Sequence, residues 1–466
     1  MFGKVLVANR GEIACRILRT CRRLGVRTVA VHSDADAGSM HVEMADEAVR
    51  IGPPPVRDSY LSIEAIVAAA KTTRAEAVHP GYGLLSEKSA FARAVVEAGV
   101  VFIGPPPDVL DALGDKMKAR QVALAAGVAP VPGLDDPLPV DDADAIVEAR
   151  AHAERIGYPI VVKAVGGGGG IGMQVVESED KLERSMKSCA DRARVAFGDP
   201  RVYLERYLRA PKHIEVQGLC DAHGAAVSLG ERECSLQRRH QKIVEESPSP
   251  AGFFAGDEGT ARRRSLEEAA LKVFRRAGYV GAGTCEFIVD ERGDAFFLEV
   301  NARLQVEHPV TEMCTGVDLV EQQLRVASGE TLASEIASGP PRRGHAIEVR
   351  IYAEDPAKGF IPQPGTLARV VWPAGDATLR VETGVRQGDA VTPYYDPLLA
   401  KIVAHGADRT SAIDRLDRAL GSTVIELVGP KGAAQTNLAF LRRLLAAERF
   451  GAGTYDTHFA EAFAKS

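Results

Sequence analysis

The fold is decided by residues 283–312, GTCEFIVDERGDAFFLEVNARLQVEHPVTE. The runs TCEFIV and AFFLEVN flank a turn built on DERGD, and this pattern predicts a β-hairpin. With the turn centred between Arg292 and Gly293, the facing pairs are Cys285 with Val300, Phe287 with Leu298, and Val289 with Phe296. Because these six side chains are all apolar, we expect their face of the hairpin to point into a core. The continuation from Arg303 to His308 is too polar for a third core strand.

The opposite face of this hairpin would hold Thr284, Glu286, Ile288, Phe297, Glu299 and Asn301. In this register Glu286 lies directly across from Glu299, and like charges in that position weaken a sheet. A divalent cation would turn the repulsion into binding, and the Asn301 amide oxygen is a further hard ligand of the type that Mg²⁺ or Mn²⁺ prefers. Since Mg²⁺ fills its remaining positions with water and substrate phosphates, the hairpin predicts a metal–nucleotide site. A solvated sheet face, on which the two glutamates never meet, is the alternative.

Length and composition restrict the class of protein. A chain of 466 residues predicts about three domains. The net charge of −6 and the pI of about 6.1 argue against a nucleic-acid partner. There is no run of about 18 apolar residues, and the first residues, MFGKVLVANRGE, lack the apolar region and cleavage site of a secretory signal. Seven cysteines without a Cys-x-x-Cys pair fit a reducing compartment, so we expect a cytoplasmic protein that binds neither nucleic acid nor membrane.

Residues 4–104 alternate strand-like and helix-like segments: KVLVA, GEIACRILRTCRRLG, VRTVAVHS, SIEAIVAAAKTT, AEAVHP, KSAFARAVVEAG and VVFIG. This order predicts a doubly wound α/β unit with a parallel sheet. Its first turn, ANRGEIA, lacks Gly-x-Gly-x-x-Gly, so dinucleotide binding is not supported. The loop HPGYGLLSE follows a strand end, where open α/β sheets bind ligands. The helix face with Arg16, Arg19, Arg22 and Arg23 is interpreted as solvated, with a subunit interface as the alternative.

A glycine-rich loop follows a strand that carries Lys163. Residues 166–172 read GGGGGIG and lead into a second strand, MQVVE. Glycines let backbone N–H groups approach phosphates closely, but a Walker A loop would end in Gly-Lys-Ser/Thr and open a helix. Because this loop instead closes a hairpin, it predicts a flexible lid over a triphosphate; a plain flexible turn is the alternative.

Two later segments complete the reading of the chain. The stretch QRRHQKIVEESP contributes Arg238, Arg239, His240 and Lys242, which are either surface charge or the counter-charge of a small anion beside a polyphosphate. From about residue 331 the strands GHAIEVRIYAEDP, GTLARVVWP, LRVETG and LLAKIVAHG precede two helices. They predict an α+β region with an antiparallel sheet, in which alternation places Glu348 and Arg350 on one face.

Ten segments of the chain together resemble a known enzyme family. They are LVANRGEIACRI, HPGYGLLSE, GDKMKAR, VKAVGGGGGIGM, HIEVQ, ERECSLQRRHQKIVEESP, EFIVD, FLEVNARLQVEHPVTE, GHAIEVRIYAED and YYDPLLAKI. They cover nearly the whole chain and resemble biotin carboxylase, the ATP-grasp component of biotin-dependent carboxylases. The resemblance implies an N-terminal biotin-carboxylase domain at residues 1–114, an ATP-grasp domain at 115–330 with a mobile glycine-rich lid at about 135–205, and a C-terminal biotin-carboxylase domain at 331–466.

The resemblance also implies a role for individual positions. Those that resemble ATP contacts are Lys116, Lys163, Gly169, Gly170, Met173, Glu205, Leu208, His213, Gln237, His240, Glu286 and Glu299. The metal carboxylates match Glu286 and Glu299, with Asn301 on a second ion, in agreement with the hairpin argument. The bicarbonate pocket matches Lys242, Arg303, Gln305 and Val306. The catalytic set adds Glu307, which matches the general base, and Arg350, which matches the residue that stabilises the biotin enolate oxygen. Tyr82 lies in a motif near the biotin site.

The implied activity is ATP- and bicarbonate-dependent carboxylation of biotin at N1, in which bicarbonate attacks the γ-phosphate to give carboxyphosphate. Two Mg²⁺ or Mn²⁺ ions and the lysines would offset charge on the phosphoryl oxygens. The sequence shows no biotinylation motif in a hairpin and no transferase domain. We therefore expect a biotin carboxyl carrier protein and a carboxyltransferase as separate chains, and the family implies a homodimer. The final acceptor, acetyl-CoA, propionyl-CoA, another acyl-CoA or pyruvate, stays open.

Two departures from the family pattern and two alternative functions remain. Ile171 stands where the family usually has Arg or Lys; because Ile cannot donate to phosphate, we expect weaker nucleotide binding or altered lid closure with intact chemistry. The segment VGPKGAAQTN is longer than the usual turn of the family and is expected to affect only the surface. The alternatives are another ATP-grasp carboxylate or carbamate ligase, and a non-catalytic ATP-grasp scaffold subunit.

Overall fold

The structure is a computed structural model that describes residues 1–134, 136–140, 142–165, 172–239 and 241–465. The positions Gly169, Gly170, Ile171 and His240, for which the sequence predicts nucleotide contacts or an effect on the lid, lie outside the described residues. Within those ranges, no helix is long and apolar enough to cross a membrane. All seven cysteines are buried free thiols.

The N-terminal region alternates strands and helices. Its elements are β1 Lys4–Val7, α1 Gly11–Arg23, β2 Arg27–Ser33, α2 Met40–Met44, β3 Glu47–Gly52, α3 Ile63–Thr73, β4 Ala77–His79, α4 Ser89–Glu97, β5 Val101–Phe102, α5 Pro107–Gly114 and α6 Lys116–Ala125. The five strands are parallel, in the order β3-β2-β1-β4-β5. Val5 packs with α1 on one side of the sheet, whereas Leu6 packs with Phe91 of α4 on the other. The predicted doubly wound α/β unit is therefore confirmed, and β3 is a strand that the sequence pattern did not predict.

The expectation of a solvated arginine face on α1 is wrong for Arg16. This side chain is buried, and its Nη2 lies 2.8 Å from both Glu312 Oε1 and Asp318 Oδ1. Arg19 also pairs with a buried glutamate, and Arg23, which is half exposed, pairs with Asp318. The carboxylates come from residues far along the chain, so the spacing of arginines within one helix could not reveal them.

The next elements are α7 Ala143–Ile156, β6 Ile160–Ala164, β7 Met173–Val176, α8 Leu182–Phe197 and β8 Val202–Arg206. Strand β6 pairs antiparallel with both β7 and β8, so the predicted hairpin around the glycine-rich segment is confirmed. Helices α7 and α8 pack on this three-stranded sheet through a hydrophobic core of their own, which includes Ala149, Met186 and Leu204. The sequence pattern did not predict these two helices.

A long antiparallel sheet organises the rest of the molecule. Its central elements are β9 Lys212–Cys220, β10 Ala226–Arg238, β11 Gln241–Ser247, α9 Gly256–Ala277, β12 Gly281–Val289, β13 Ala295–Asn301, α10 His308–Thr315, α11 Leu319–Ala327, α12 Ser334–Ala337 and β14 His345–Tyr352. The C-terminal elements are β15 Glu354–Asp355, β16 Ile361–Pro362, β17 Gly365–Val371, β18 Leu379–Thr383, β19 Ala390–Val391, β20 Leu398–Gly406, α13 Arg409–Ser422, β21 Val424–Gly429, β22 Gly432–Ala434, α14 Leu438–Leu445, α15 Glu448–Gly451 and α16 Phe459–Ala464. The strand order is β13-β12-β9-β10-β11-β14-β20-β18.

The predicted antiparallel strands of the C-terminal region are thus confirmed, with an addition. Three of them, β14, β20 and β18, extend the central sheet, while β19-β17-β21-β22 form a separate four-stranded sheet. The strand that carries Arg350 therefore lies in the same sheet as the hairpin that carries the two predicted metal carboxylates.

The predicted hairpin is formed by β12 and β13, but its register changes halfway. The pairs Cys285–Val300 and Glu286–Glu299 are confirmed. Beyond them a β-bulge shifts the register by one residue, so the observed pairs are Phe287 with Phe297, Ile288 with Phe296, and Val289 with Ala295. The predicted pairs Phe287–Leu298 and Val289–Phe296 are wrong.

The bulge lies at Leu298 and has a packing cause. It turns Phe297, predicted on the polar face, into the core, where it is 2% exposed and meets the Phe287 ring edge-on at 6.4 Å between centroids. Leu298 is turned to the opposite side. Because residues 296–298 are all apolar, period-two alternation could not indicate which of them is the extra residue.

Candidate active site

A cleft of about 1290 Å³ opens between the three-stranded sheet, the central sheet and loops of the N-terminal region. Most of the predicted site residues line it. They are Tyr82, Lys116, Lys163, Met173, Glu205, Leu208, His213, Gln237, Lys242, Glu286, Glu299, Asn301, Arg303, Gln305, Val306 and Arg350. Glu307 lies behind this lining and is fully buried. The fold therefore brings together residues that span most of the chain.

The floor of the cleft carries a row of three carboxylates. Glu215 on β9 pairs with Glu286 on β12, and Glu286 pairs in turn with Glu299 on β13. Directly opposed residues of an antiparallel sheet point to the same side, so the three side chains share one face. The predicted alternative, a solvated face, is wrong, because Glu286 is 4% exposed.

Lys242 supplies the counter-charge of this row from strand β11. Its Nζ lies 2.5 Å from Glu215 Oε2, 2.9 Å from Glu286 Oε1 and 2.7 Å from Glu307 Oε1. Burial alone would lower the pKa of this ammonium, but the three glutamates outweigh burial and raise its pKa well above the ordinary value. Lys242 is therefore charged, and the surface-charge interpretation is wrong for it.

Glu286 is the most fully satisfied of the three carboxylates. Besides Lys242, its Oε1 accepts hydrogen bonds from Asn301 Nδ2 at 2.8 Å and Gln305 Nε2 at 2.9 Å. Its Oε2 lies 3.1 Å from His213 Nε2. Although burial raises the pKa of Glu286, Lys242 and His213 outweigh it and hold that pKa well below the ordinary value. Glu286 is therefore ionised.

Glu299 lacks comparable compensation. Its carboxylate is about one-third exposed, and among the described residues its ion pair is with Lys116, whose Nζ lies 4.0 Å from Oε2. Burial, followed by the charge of Glu286, raises the pKa of Glu299. A pair of opposed carboxylates with excess negative charge, beside the amide of Asn301, is an oxygen-donor set that fits Mg²⁺ or Mn²⁺.

Glu307 stands where the turn after β13 enters α10, at the N-cap of that helix. Its Oε1 accepts from Lys242, and its Oε2 lies 3.0 Å from Arg350 Nη2. Burial raises the pKa of Glu307, but Lys242, Arg350 and Arg232 outweigh it and hold the pKa well below the ordinary value. The carboxylate is ionised and able to accept a proton.

Arg303 lies on the same turn, beside Asn301 at the end of β13. Its Nη2 donates to Asn301 Oδ1 at 2.9 Å, and its Nε donates to Glu87 Oε2 at 3.0 Å. Glu87 also accepts from the Ala302 backbone N–H at 3.0 Å. Glu87, from the N-terminal region, thus holds the Arg303 guanidinium beside Asn301.

Arg350 is held by acidic residues on both sides. Its Nη2 contacts Glu245 of the neighbouring strand as well as Glu307. Glu245 pairs across the sheet with Glu348, and both are fully buried. Burial, only partly offset by Arg350, raises the pKa of Glu245 to about 7. The acidic surroundings raise the pKa of Arg350 against the effect of burial, so its planar cation is permanently charged.

The opposite wall of the cleft comes from the three-stranded sheet. Lys163 on β6 forms an ion pair with Glu205 on β8 and pairs with Met173 on β7. On the floor, Gln237 Nε2 lies 3.0 Å from His213 Nδ1. Cations and amides thus face each other across the space between the two sheets, an arrangement suited to the phosphates of a nucleotide.

Tyr82 closes the cleft on the N-terminal side. Its hydroxyl donates to Glu12 at the start of α1, and Glu12 Oε1 lies 3.2 Å from Lys401 Nζ. Arg350 lines the same cleft, so the two residues predicted near biotin share one cavity.

Sequence reasoning missed several residues that hold this site together. They are Glu12, Glu87, Glu215, Arg232, Glu245 and Lys401. A signal existed for Glu215, because HIEVQ places His213, Glu215 and Gln217 on one face of a strand, and such a polar face inside a core is unusual. A lone lysine in LLAKIVAHG gave no comparable signal.

Comparison with protein families places three matches in succession along the chain. The biotin carboxylase N-terminal domain matches residues 1–110, the carbamoyl-phosphate synthase L chain ATP-binding domain matches 115–335, and the biotin carboxylase C-terminal domain matches 348–462. Biotin carboxylase 2 of Bacillus subtilis is 49% identical over 98% of this chain and 99% of its own length. The N-terminal boundary of the ATP-binding match coincides with the start of α6.

Longer relatives are similar over part of their length. The propionyl-CoA carboxylase alpha chain of Ruegeria pomeroyi is 46% identical, and this chain spans 68% of it. The mouse methylcrotonoyl-CoA carboxylase subunit alpha is 48% identical, and this chain spans 61% of it. In both cases 98% of this chain is covered.

Solved structures match the whole fold. The biotin carboxylase of Campylobacter jejuni, solved as a β-γ-ATP complex, has a TM-score of 0.89 at 40% identity, with 98% of each chain covered. The biotin carboxylase domain dimer of the Hydrogenobacter thermophilus 2-oxoglutarate carboxylase, solved with MgADP, ADP and bicarbonate, has a TM-score of 0.89 at 42% identity. It covers 99% of this chain and 98% of its own.

Proposed function

Because this chain belongs to the biotin carboxylase family, an ATP-dependent ligase family, we propose that it carboxylates biotin with bicarbonate at the expense of ATP. The observation that carries the proposal is the position of Lys242, whose Nζ contacts Glu286 and Glu307 at once. A single cation thereby sets the distance between the carboxylates proposed for the metal–ATP end and the proposed general base. Arg350 contacts the other carboxylate oxygen of Glu307.

The proposed ligands of the nucleotide divide between the two walls of the cleft. Lys163, Met173 and Glu205 contact it from the three-stranded sheet, Leu208 from the segment after that sheet, and Lys116 from the start of α6. His213, Gln237, Glu286 and Glu299 contact it from the floor. Gly169, Gly170 and His240 stay part of the proposal on the family resemblance alone. Glu286, Glu299 and Asn301 would hold Mg²⁺ or Mn²⁺, which offsets charge on the phosphoryl oxygens when bound.

In the proposed first step, Lys242, Arg303, Gln305 and Val306 bind bicarbonate, and Glu307 takes its proton. The bicarbonate oxygen attacks the γ-phosphorus, the bond to the β-phosphate oxygen breaks, and ADP leaves with carboxyphosphate as product. Lys242 and Arg350 depress the pKa of Glu307, and bound anions would take up part of the charge of these two cations. Binding of the anions therefore makes Glu307 a stronger base.

In the proposed second step, carboxyphosphate breaks down to CO₂ and phosphate. The phosphate removes the proton from biotin N1, and the nitrogen forms a bond to CO₂. The Arg350 guanidinium stabilises the enolate oxygen of biotin as charge develops there, and Tyr82 lines the biotin end of the cleft. We propose that the unit from about 135 to 205 closes as a lid that keeps water from the labile intermediate.

The domain partition, partners and location belong to the same proposal. We propose domains at residues 1–114, 115–330 and 331–466. The solved dimer of a relative supports a homodimer for this chain. Biotin would be presented by a biotin carboxyl carrier, and a carboxyltransferase would pass the carboxyl group to an acyl-CoA or a 2-oxo acid, for which the names of the relatives are the support. Seven free, buried cysteines support a reducing, cytoplasmic environment.

The test is ATP cleavage by the purified chain with Mg²⁺, measured with and without bicarbonate and with and without free biotin. We expect turnover that requires bicarbonate and rises with biotin. Bicarbonate-dependent turnover that ignores biotin would indicate another ATP-grasp ligase. No turnover under any condition would indicate a non-catalytic subunit.

A further inference from the structure

Lys401 is a buried lysine that the proposed chemistry does not use. It lies in the middle of β20, its side chain is 0% exposed, and it pairs across the sheet with Arg350 on one side and Glu382 on the other. Burying an ammonium is costly unless its donors and its charge are satisfied, so the neighbours of Lys401 indicate what it does.

The Nζ of Lys401 reaches two separate parts of the cleft. It donates to the Val306 backbone carbonyl at 2.7 Å and lies 3.2 Å from Glu12 Oε1. Glu12 in turn accepts the hydroxyl of Tyr82, and the ammonium lies 5.9 Å from the centre of the Tyr82 ring. The Lys401 side chain thus contacts both the 303–307 turn, at Val306, and the Glu12–Tyr82 pair.

We propose that Lys401 is a positioning residue that fixes the Val306 peptide for bicarbonate and ties the bicarbonate end of the cleft to the biotin end. The inference rests on the proposed function, because the turn matters in this way only if it binds bicarbonate. Fixing the Val306 carbonyl also fixes the orientation of the whole 306–307 peptide plane. That plane leads directly into Glu307, whose carboxylate must meet Lys242 and Arg350.

Other contacts hold the remainder of the turn, and they show what Lys401 adds. His308 Nδ1 lies 2.8 Å from the Gln305 carbonyl. Burial, together with Lys401 and Arg16, lowers the pKa of His308 well below the ordinary value, so a neutral ring donates from Nδ1. Glu87 holds Arg303. Among these described anchors of the turn, Lys401 is the one that also contacts the Tyr82–Glu12 pair.

Acidic residues on three elements lie around Lys401: Glu12 on α1, Glu348 on β14 and Glu382 on β18. Neither carboxylate oxygen of Glu348 has a hydrogen-bond partner among the described residues. A neutral side chain at 401 would therefore release the Val306 carbonyl and remove the ion pair of Glu12, whereas Glu382 keeps its pairs with Arg19 and Arg380.

The test compares Lys401→Met with Lys4→Met in steady-state ATP cleavage. Lys4 is a matched control, because its Nζ also contacts one backbone carbonyl, that of Thr73 at 2.7 Å, and one carboxylate, that of Glu47 at 2.8 Å, far from the cleft. We expect Lys401→Met to raise the KM for bicarbonate about tenfold, the effect of one lost buried hydrogen bond to the turn, and to reduce the stimulation by biotin. The KM for ATP should not change, and Lys4→Met should leave all three quantities as in the wild type.

A parallel rise in the KM for ATP and bicarbonate would overturn the inference, as would an unchanged KM for bicarbonate. If Lys401→Met does not fold, the double variant Glu12→Gln/Lys401→Met removes the cation together with its carboxylate partner, and the same two outcomes decide. A wild-type chain that cleaves no ATP with bicarbonate would refute the proposed function instead, so the two failures are distinguishable.

Discussion

Glu286 and Glu299 face each other directly across the β12–β13 pair, yet their surroundings move their pKa values in opposite directions. Lys242 and His213 keep Glu286 ionised, whereas burial and the charge of Glu286 raise the pKa of Glu299. A negative charge on Glu299, on the more exposed side of the pair, is therefore the one that its surroundings disfavour. Glu299 is where a divalent cation and the terminal phosphates of ATP would gain most.

Glu299→Gln should weaken Mn²⁺ binding at least about tenfold, the loss that removing even an outer partner of a metal ligand causes. The measurement is an electron paramagnetic resonance titration of Mn²⁺ in the presence of ADP. Glu291→Gln, an exposed position in the turn of the same hairpin, is the control. In the wild type, Mn²⁺ binding should also weaken as the pH falls through the raised pKa of Glu299, because the protonated form cannot bind the ion. Equal Mn²⁺ affinity in both variants would exclude Glu299 as a ligand.

Glu307→Gln should lower bicarbonate-dependent ATP cleavage by about 10²–10⁴-fold, the contribution of a positioned general base. The amide keeps the shape of the side chain but cannot accept a proton as the carboxylate does. ATP affinity, measured by fluorescent-nucleotide displacement, should stay at the wild-type value. A variant that keeps its turnover would show that another group deprotonates bicarbonate.

Arg350→Lys should lower the rate of carboxybiotin formation by about 10²–10³-fold, comparable to the loss of one oxyanion donor. Lysine retains the charge that Glu245 and Glu307 require but loses the planar pair of donors. Transfer of ¹⁴C from bicarbonate to free biotin is the measurement, and Arg369→Lys on the exposed strand β17 is the control. Wild-type transfer by Arg350→Lys would mean that charge alone is sufficient.

Glu246 should make the fold sensitive to acid. His345 Nε2 and Arg409 Nε each lie 2.6 Å from its Oε2. Although burial opposes them, these partners lower the pKa of Glu246 from 4.5 to about 2. A depressed folded-state pKa stabilises the protein above the unfolded value, and this stabilisation is lost as the pH falls from 4.5 to about 2. It amounts to about 3 kcal/mol at most at neutral pH.

Glu246→Gln should therefore lower the thermal unfolding midpoint at pH 7, and the difference from wild type should shrink below about pH 4. Differential scanning calorimetry at both pH values makes the measurement. Glu448→Gln, at an exposed site on α15, should change neither midpoint. A difference that is the same at both pH values would mean that Glu246 acts through packing rather than charge.

The pairing of Glu286 with Glu299 was predicted correctly, although the register beside the turn was not. The pairs next to the turn are offset by one residue from the prediction, and the bulge at Leu298 restores the predicted register at the two glutamates. The bulge could not be predicted, because Phe297 and Leu298 are both apolar and the choice between them is made by the Phe287 ring. Contacts between residues that lie far apart in the sequence could not be predicted either. The spacing of residues on one helix or strand does not show that Glu312 neutralises Arg16, or that Lys401 reaches Val306.

The family resemblance supplied the roles of single residues, and the physics of the hairpin supplied only a metal–nucleotide site. Lys242 illustrates the difference. As part of QRRHQK it was indistinguishable from surface charge, whereas in the fold it is a buried ammonium between three carboxylates. Such a residue can be recognised only when the strands that carry its partners have been placed side by side.

The central claim is that a row of neighbouring side chains couples ATP cleavage to bicarbonate and biotin. The row consists of Glu286, Glu299, Lys242, Glu307 and Arg350. The most direct measurement is the release of phosphate from ATP together with the appearance of ¹⁴C-carboxybiotin, using the purified wild-type chain, Mg²⁺, ¹⁴C-bicarbonate and free biotin. We expect phosphate release that depends on bicarbonate and carboxybiotin that forms only when all substrates are present. Phosphate release at the same rate without bicarbonate, or with no label in biotin, would contradict the account.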